Sequence, residues 1–498
     1  MTGRWPGPVL IAAILLLGPA RAAAPDAGLP PALEAETYSR LDAARVTRRH
    51  DLETYLDRIG ALARAVPGDP VMRRYFLLKQ RYHELARREA PPAEAVAAIE
   101  ELKASIRQHY FEHYHPFYDI LFVDRGGFVF STIRMQGDYH RDLFSGDLRD
   151  TALGRRLLET PDEAFIDYEY YAVSDEPSAF FVEPMIEDGE HRGWFVMQCA
   201  VNKINRIFAR DAGLGATGEV FLVNRQHQML TDSRLRPEPS ILRRHLSRGN
   251  IEAKFAERKG HKVVTDYRGY RALTSFEVCP VMGTEWLLIA KIDEDEVVTG
   301  AFAGDRDRLL RALPRLAAAG APPACEPPPG DAHPVVVDLD EFGKGLDGRT
   351  LATYGVNTCT AVVLTLPGRF SYLGHASPYD AMYGQAGLDM LPNVAARIRT
   401  FEMVPWEQRT MQVLLVAPHA ESLAGAVDRL LAQGFLLSQI RFVHAVDARS
   451  ATVVHDPASG ATWVGWEPDD PARPARWQRA DQWPTLGELV ARDLTSAG

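Results

Sequence analysis

A thiol and an imidazole lie close together in the C-terminal third of the chain, at Cys359 and His375. The apolar run 360–366 follows the cysteine, the run 370–373 ends just before the histidine, and a Pro-Gly turn separates the two runs. This pattern predicts a hairpin that brings both residues to the same end of a sheet. A thiolate nucleophile and its base require that geometry.

The same two residue types also occur in ordinary protein cores. A cysteine can pack as a small apolar residue, and a histidine at the end of a strand can have its hydrogen bonds satisfied within the fold. On Cys359 and His375 alone this second interpretation is favoured, so the decision depends on the residues and elements around them.

Helical and strand patterns alternate after this hairpin. The predicted elements are a helix at 379–398, a strand at 410–417, a helix at 419–433, and strands at 439–446, 451–456 and 461–466. This alternation predicts an α/β sandwich domain that occupies residues 334–498.

The order and spacing in this domain resemble CheD, the chemoreceptor glutamine deamidase of bacterial chemotaxis. Thr353, Gly355 and Cys359 fall on the family's Thr-x-Gly-x-x-x-Cys pattern, and His375 follows at close to the family's spacing. The segment 447–460 resembles the family's late strand and its Ser-Gly turn.

The resemblance implies a protein-glutamine deamidase in which Cys359 attacks a side-chain carboxamide and forms a thioester. His375 would accept the thiol proton, and Thr353 would orient the histidine. Ammonia would leave, and water would release glutamate. The resemblance implies no metal and no other cofactor for this chemistry.

The N-terminal two thirds of the chain has a different pattern of predicted helices and strands. Residues 31–110 carry apolar side chains at helical spacing and predict a helical stem. Two similar sets of short strands follow at 111–212 and 213–305, which predicts two related subdomains in tandem. The Pro- and Ala-rich stretch 317–333 predicts a linker to the C-terminal domain.

This region resembles a double Cache domain, the extracytoplasmic sensor module of bacterial chemoreceptors and sensor kinases. The matching segments are 118–124, 184–186 with 193–196, 213–224 with 231–234, and 266–269 with 283–286. The resemblance covers about 33–300 and implies a long leading helix and two PAS-like sheets. The expected fold class is therefore α+β, with an N-terminal helix, two tandem Cache subdomains and a separate α/β sandwich of the CheD type.

A small-molecule pocket is expected in the distal subdomain, residues 111–212. Aromatic walls with charged groups suit a small amine or amino acid, and the candidate residues are Tyr168, Tyr170, Tyr171, Asp175 and Arg134. Tyrosines also alternate on half-buried strands without any ligand, so the ligand class stays open. Histidines between 109 and 140 lack partners at metal-ligand spacing, and no metal is predicted.

Charge and the N-terminal residues bear on partners and location. The net charge of -10 argues against nucleic acid as a partner. Residues 1–24 have the basic start, short apolar core and small residues of a secretory signal peptide. We therefore expect a periplasmic or secreted protein. An uncleaved N-terminal segment would instead anchor it to the inner membrane, and the first 24 residues disfavour a cytoplasmic chain.

Two functions remain open from the sequence. In the first, an exported signalling protein joins a small-ligand Cache sensor to a deamidase that acts on a receptor or another protein. In the second, the protein binds ligands without catalysis and uses a degenerate deamidase fold to contact a partner. Cys325 in the linker bears on this choice, because a disulfide with Cys359 would silence the nucleophile.

Overall fold

A computed structural model describes residues 29–87, 90–159, 163–210, 212–302, 311–312, 323–330, 333–345, 348–378, 387–445, 448–468, 470 and 472–490. The predicted signal peptide, residues 1–24, lies outside them, and so does much of the predicted linker. Within the described residues, no helix combines the length and apolarity that a membrane span needs.

Three helices open the fold, namely α1 (Pro31–Ala65), α2 (Pro70–Ala86) and α3 (Ala93–His109). The Pro-Gly-Asp-Pro segment ends α1 and starts α2, because the Asp69 carboxylate accepts the backbone N–H groups of Val71 and Met72 at 2.9 and 3.1 Å. Apolar residues of α1 are buried in the largest core of the molecule, against both sheets of the Cache-like region.

The first sheet is antiparallel, in the order β2-β1-β5-β4-β3. Its strands are β1 (Asp119–Asp124), β2 (Val129–Thr132), β3 (Ala164–Tyr171), β4 (Glu176–Glu187) and β5 (Glu190–Ala200). The helix α4 (Ala152–Glu159) precedes β3, and α5 (Asn202–Phe208) follows β5. Alternate strand residues face α1 on one side and a smaller core with α4 on the other.

The second sheet repeats this design with four strands, in the order β6-β9-β8-β7. They are β6 (Glu219–Val223), β7 (Lys259–Thr265), β8 (Arg271–Val281) and β9 (Thr284–Asp293), with α6 (Arg248–Glu257) before β7. The helix α7 (Glu294–Phe302) continues directly from β9. The predicted tandem of two strand-rich units is therefore present as two antiparallel sheets.

The C-terminal region contains two mixed five-stranded sheets, in the orders β10-β12-β17-β18-β19 and β11-β14-β13-β15-β16. The elements are β10 (Val335–Val336), β11 (Glu341–Lys344), β12 (Leu351–Val356), β13 (Thr360–Leu366), β14 (Phe370–Ala376), α8 (Met390–Phe401), β15 (Gln412–Val416), α9 (Ala420–Ala432), β16 (Ile440–Val443), β17 (Ala448–His455), β18 (Thr462–Pro468) and β19 (Arg476–Arg479).

Strand β13 shows how this region is layered. Ala361 and Val363 face a core between the two sheets, whereas Val362 and Leu364 face a second core shared with α8 and α9. The alternation follows from the two-residue period of a strand. The layers therefore run helices, sheet, sheet, which confirms the α+β class of the chain and the α/β character of this region. Its assignment to the CheD type stays a prediction.

The helix predicted at 379–398 differs from the structure. Helix α8 begins at Met390, and residues 379–386 lie outside the described residues. Pro392 lies in the first turn of α8. Proline is tolerated there because the first backbone N–H groups of a helix have no intrahelical partner.

Candidate functional site

The hairpin of β13 and β14 positions Cys359 and His375. Ala361 pairs with His375, and Thr360 pairs with Ala376, so the residue before Thr360 lies at the same end of the hairpin as the histidine. The sequence runs Thr360–Leu366 and Phe370–Ala376 form these strands because both are apolar and flank a Pro-Gly turn.

Thr353 reaches His375 from the other sheet. Its Oγ1 lies 2.8 Å from His375 Nδ1, and the same hydroxyl donates to the backbone oxygen of Val337 at 2.8 Å. A carbonyl oxygen can only accept, so the single hydroxyl proton of Thr353 is committed to Val337. His375 Nδ1 must then carry the proton and donate to Thr353, which assigns the tautomer with an unprotonated Nε2.

His375 Nε2 is buried and has no hydrogen-bond partner among the described residues. Burial lowers the pKa of the imidazole, while Asp340 and Asp338 act in the opposite direction. A neutral imidazole with a free Nε2 can accept a proton from a nucleophile or from water.

Cys359 is half-buried, and no hydrogen bond joins it to His375 in the described structure. Burial raises the pKa of the Cys359 thiol, the Thr358 side chain lowers it, and the charge of Asp340 raises it further. The net effect favours the protonated thiol, and proton transfer to His375 would require the two side chains to approach.

Asp340 is a polar neighbour that the sequence did not reveal. Its backbone N–H donates to the carbonyl of His375 at 2.6 Å, and its carboxylate accepts from Ser377 N at 2.8 Å and Ser377 Oγ at 2.9 Å. Gly387 N donates to Ser377 Oγ at 3.1 Å. These bonds hold the end of β14. A lone aspartate before a short strand carries no pattern that would have identified it.

The first turn of α9 contacts the residue before the cysteine. Ser422 Oγ donates a hydrogen bond to the backbone oxygen of Thr358. No side chain caps α9 at His419. The N-terminal end of α9, which favours negative charge, therefore lies close to the backbone before Cys359.

The structure contradicts a disulfide between Cys325 and Cys359, since both are free cysteines. Cys325 N donates to Trp477 O at 2.9 Å, which places Cys325 beside the edge strand β19. In that sheet, β18 and β17 separate β19 from β12, after which Cys359 follows. From Cys325 through β19, β18 and β17 to β12 there are four interstrand steps, about 19 Å, well beyond disulfide reach.

A second group of buried polar side chains lies at the first sheet, which has the order β2-β1-β5-β4-β3. Tyr171 donates to Asp138 Oδ2 at 3.1 Å, and both side chains are buried. Asp119 Oδ1 accepts backbone N–H groups, including that of Arg134 at 3.1 Å. Gln198 lies opposite Asp119 on β5, and its Nε2 donates to Ser174 and Ser178 at 2.8 Å.

Five buried oxygens in this group have no hydrogen-bond partner among the described residues. They belong to Asp119, Gln136, Asp138, Glu176 and Gln198, which we name the distal acceptor cluster. Burial raises the pKa of Asp119 to about 7, although backbone N–H groups oppose it, and burial also raises the pKa values of Asp138 and Glu176. Every unpartnered atom is an oxygen, and an ionised carboxylate or an amide oxygen can only accept a hydrogen bond.

Of the predicted ligand-binding residues, Tyr171 contacts the distal acceptor cluster, and Arg134 lies beside it. Arg134 donates to the backbone oxygen of Tyr118 and lies 4.2 Å from the centre of the Tyr118 ring. The Tyr118 hydroxyl accepts from Gln136 Nε2 at 2.9 Å, which links Arg134 to the cluster.

The structure does not bring Tyr168, Tyr170 and Asp175 into this cluster. Tyr168 is buried in the core that contains α1, whereas Tyr170 is exposed and donates to Asp175. The pairing of β3 with β4 shifts register between Ile166 and Glu169. This bulge places Ile166 and Tyr168 in different cores. Tyr168 and Tyr171 are three residues apart, so the two-residue period of a strand already places them on opposite faces.

The described residues include no group of three or more histidine, cysteine, aspartate or glutamate side chains that could hold a metal ion.

A family model described as Cache domain matches residues 34–301. Among the curated proteins, none matches the chain. Several solved structures are similar to it. The ligand-binding domain of the Campylobacter jejuni chemoreceptor Tlp3 in complex with 4-methylisoleucine is 12% identical, with a TM-score of 0.38. The match covers 54% of this chain and 97% of that domain.

Two further structures are similar at the same level. A domain of a putative sensory box/GGDEF family protein from Vibrio parahaemolyticus is 12% identical, with 53% and 99% coverage and a TM-score of 0.36. An extracellular ligand binding receptor from Desulfohalobium retbaense DSM5692 is 14% identical, with a TM-score of 0.34. That match covers 50% of this chain and 39% of the receptor, so the chain spans about two fifths of that relative.

Proposed function

The chain belongs to the Cache domain family through residues 34–301, and from this membership we propose that it senses a small ligand bearing an ammonium group. The observation that supports this ligand class is the distal acceptor cluster, whose five unpartnered atoms are all oxygens. Buried acceptors without donors are costly, and a bound ammonium would supply up to three N–H groups and a compensating charge. The sensor would face the periplasm or the exterior.

Ligand binding is tested by calorimetric titration of the purified protein with primary amines and α-amino acids. Asp138→Asn and Gln198→Leu should weaken binding of a hit at least about tenfold, because each removes an acceptor from the cluster. Tyr170→Phe is the matched control, since Tyr170 is exposed and contacts Asp175 instead. Binding that survives both cluster variants would place the ligand elsewhere.

We propose further that the C-terminal region hydrolyses the side-chain amide of a protein glutamine. The observation that favours catalysis is the Thr353 hydrogen bond, which leaves His375 Nε2 as a free base. Among the described residues only Nδ1 of His375 has a partner, so Nε2 remains able to accept a proton from Cys359.

The reaction proceeds in two acyl-transfer steps. His375 Nε2 takes the proton of Cys359, and the thiolate attacks the amide carbon to form a tetrahedral oxyanion. The carbon–nitrogen bond breaks, His375 gives the proton to the leaving nitrogen, and ammonia departs from the thioester. His375 then takes a proton from water, whose hydroxide attacks the thioester carbon. Glutamate forms, and the sulfur regains its proton from His375.

Incubation with a glutamine-containing receptor ectodomain tests this reaction, with mass spectrometry detecting conversion of amide to acid. Conversion should vanish in Cys359→Ala and persist in Cys325→Ser, which removes a thiol beside β19. No ammonia release from any substrate, with ligand binding intact, would instead support a non-catalytic binding protein that contacts its partner through this region.

A further inference from the structure

Helix α7 belongs to two hydrophobic cores at once. Val297 is buried in the core that joins α1 to the two Cache sheets. Its neighbour Val298 packs against the core that lies between the C-terminal sheet and the helices α8 and α9. Successive residues of a helix point about 100° apart, so two different faces of α7 are occupied. The last helix of the Cache region is therefore also a packing element of the C-terminal region.

Hydrogen bonds fix α7 to the segment that precedes β16. Leu437 N donates to Thr299 Oγ1 at 3.1 Å, and Ser438 Oγ donates to Asp295 Oδ2 at 2.6 Å. Both accepting residues lie on α7, and both donors lie in the single turn before Ile440, where β16 begins.

Arg409 fixes the segment that precedes β15. Its guanidinium pairs with Asp295 on α7 and lies 3.3 Å from Asp293 at the end of β9. Asp293 is fully buried and also contacts Lys291 and Arg268 of the Cache region. Arg409 thus adds a cation from the C-terminal region to a buried charge network of the Cache region.

Strands β15 and β16 begin just after the two segments that α7 contacts, and β15 ends close to Cys359. Strands β15 and β16 are parallel neighbours, with Val413 opposite Ile440. At the far end of β15, Val416 pairs with Ala361, two residues after the cysteine. Beyond Val416 the chain enters α9, from which Ser422 holds the backbone oxygen of Thr358. A shift of α7 would therefore be carried along hydrogen-bonded strands to the residues around the thiol.

We propose that α7 is the coupling element through which the Cache region controls the reactivity of Cys359. The inference rests on the proposed function in one respect, since it takes Cys359 as the regulated group. Ligand binding can change this reactivity only if the ligand favours one position of α7 over another. The two rows of contacts on α7 are the structural basis for such a preference.

Thiol alkylation tests the coupling without a ligand or a substrate. The full chain with Cys325→Ser leaves Cys359 as the one cysteine that is not fully buried, because Cys199 and Cys279 are buried. Arg409→Gln removes the guanidinium from Asp293 and Asp295. The rate of iodoacetamide labelling at Cys359 should change by about fivefold or more, the lower end of typical couplings between sites.

Arg473→Gln is the matched control, because Arg473 also lies in the C-terminal region and pairs with the exposed Asp470, outside α7, β15, β16 and α9. Its labelling rate should stay within twofold of the parent. Thr299→Val is a second, nearly isosteric variant, which should move the rate in the same direction as Arg409→Gln. Labelling within twofold of the parent in both α7-contact variants, with circular dichroism unchanged, would overturn the proposal.

Thr299→Val carries the test if Arg409→Gln unfolds the C-terminal region, and where both variants fold, a double-mutant cycle tests whether Arg409 acts through Asp295. Asp295→Asn with Arg409→Gln should give less than the summed single effects on labelling, because the partners share one interaction. Strict additivity would overturn the coupling. The deamidase proposal can fail independently of the coupling. If labelling responds to the α7-contact variants but no ammonia is released, only the catalysis is refuted. If ammonia is released but labelling does not respond to these variants, only the coupling is refuted.

Discussion

The Thr353 hydroxyl joins the two C-terminal sheets by contacting His375 across the core between them, with 2.8 Å from Oγ1 to Nδ1. Thr353 lies on β12 and His375 on β14, which belong to different sheets. The hydroxyl also donates to Val337, so its proton is not available to the imidazole. One side chain thereby fixes both the packing of the sheets and the protonation pattern of the histidine.

Replacing Thr353 should therefore affect stability and chemistry together. In Thr353→Val, His375 Nδ1–H and the Val337 carbonyl each lose a buried partner, which should lower the free energy of unfolding by about 1–3 kcal/mol. Amide hydrolysis should fall about 100-fold as the tautomer is no longer fixed. Urea denaturation measures the first effect, and nitrogen NMR of His375 reports the tautomer. Thr353→Ser keeps the hydroxyl and should restore both; an unaffected tautomer in Thr353→Val would contradict the assignment.

Protonation of His455 should make the free energy of unfolding depend on pH. Burial lowers its pKa from 6.5 to about 4, so between these values the unfolded chain binds more protons than the folded one. Stability is then unaffected above about 6.5 and falls as the pH drops towards 4, by about 3 kcal/mol in total. Comparing denaturation curves of His455→Gln and wild type across this range should show a flatter profile for the variant. The exposed His113→Gln should keep the wild-type slope.

Ligand affinity should rise with pH. Burial raises the pKa of Asp119 to about 7, so near neutrality this carboxyl is only partly ionised in the free protein. An ammonium ligand favours the ionised form, and its affinity should increase about tenfold between pH 6 and pH 8, with proton release on binding. Calorimetry in buffers of different ionisation enthalpy measures that release. Asp119→Asn should bind weakly at both pH values; a retained pH dependence in this variant would assign the titration to another group.

Gly387 should not tolerate a side chain. A Cβ atom built there would overlap Asp340 Oδ1 and lie 2.6 Å from Ser377 N, so the Asp340–Ser377 contacts would have to open. We expect Gly387→Ala to destabilise the C-terminal region by more than about 2 kcal/mol. Thermal denaturation followed by tryptophan fluorescence measures the loss. Gly249→Ala is the control, since nothing lies within 4 Å of its Cβ position.

The structural features that could be predicted from the sequence are those that depend on residues close together in the chain. The hairpin that carries Cys359 and His375 follows from two apolar runs and one turn, and the structure contains it at those residues. Local patterns also indicated the tandem of strand-rich units that the Cache family model matches over 34–301.

Contacts between distant segments could not be foreseen in the same way. The distal tyrosines were predicted to line one pocket, but Tyr168 is buried in the core that contains α1 and Tyr171 in the smaller core with α4. The bond between Asp340 N and His375 O depends on how β11 pairs with β14, which no local pattern specifies. The unpartnered carboxylate and amide oxygens of the distal acceptor cluster likewise belong to five separate positions in the chain, which only the folded structure brings together.

Helix α7 also has a consequence for how this protein folds and evolves. Because Val297 and Val298 contribute to different cores, a chain cut between β9 and the C-terminal region would strip one hydrophobic surface of its cover. Each half would expose apolar side chains that the other half covers, so recombination at that junction should cost stability, unlike exchange between domains joined by a free linker. Heating should accordingly melt both halves in one cooperative transition.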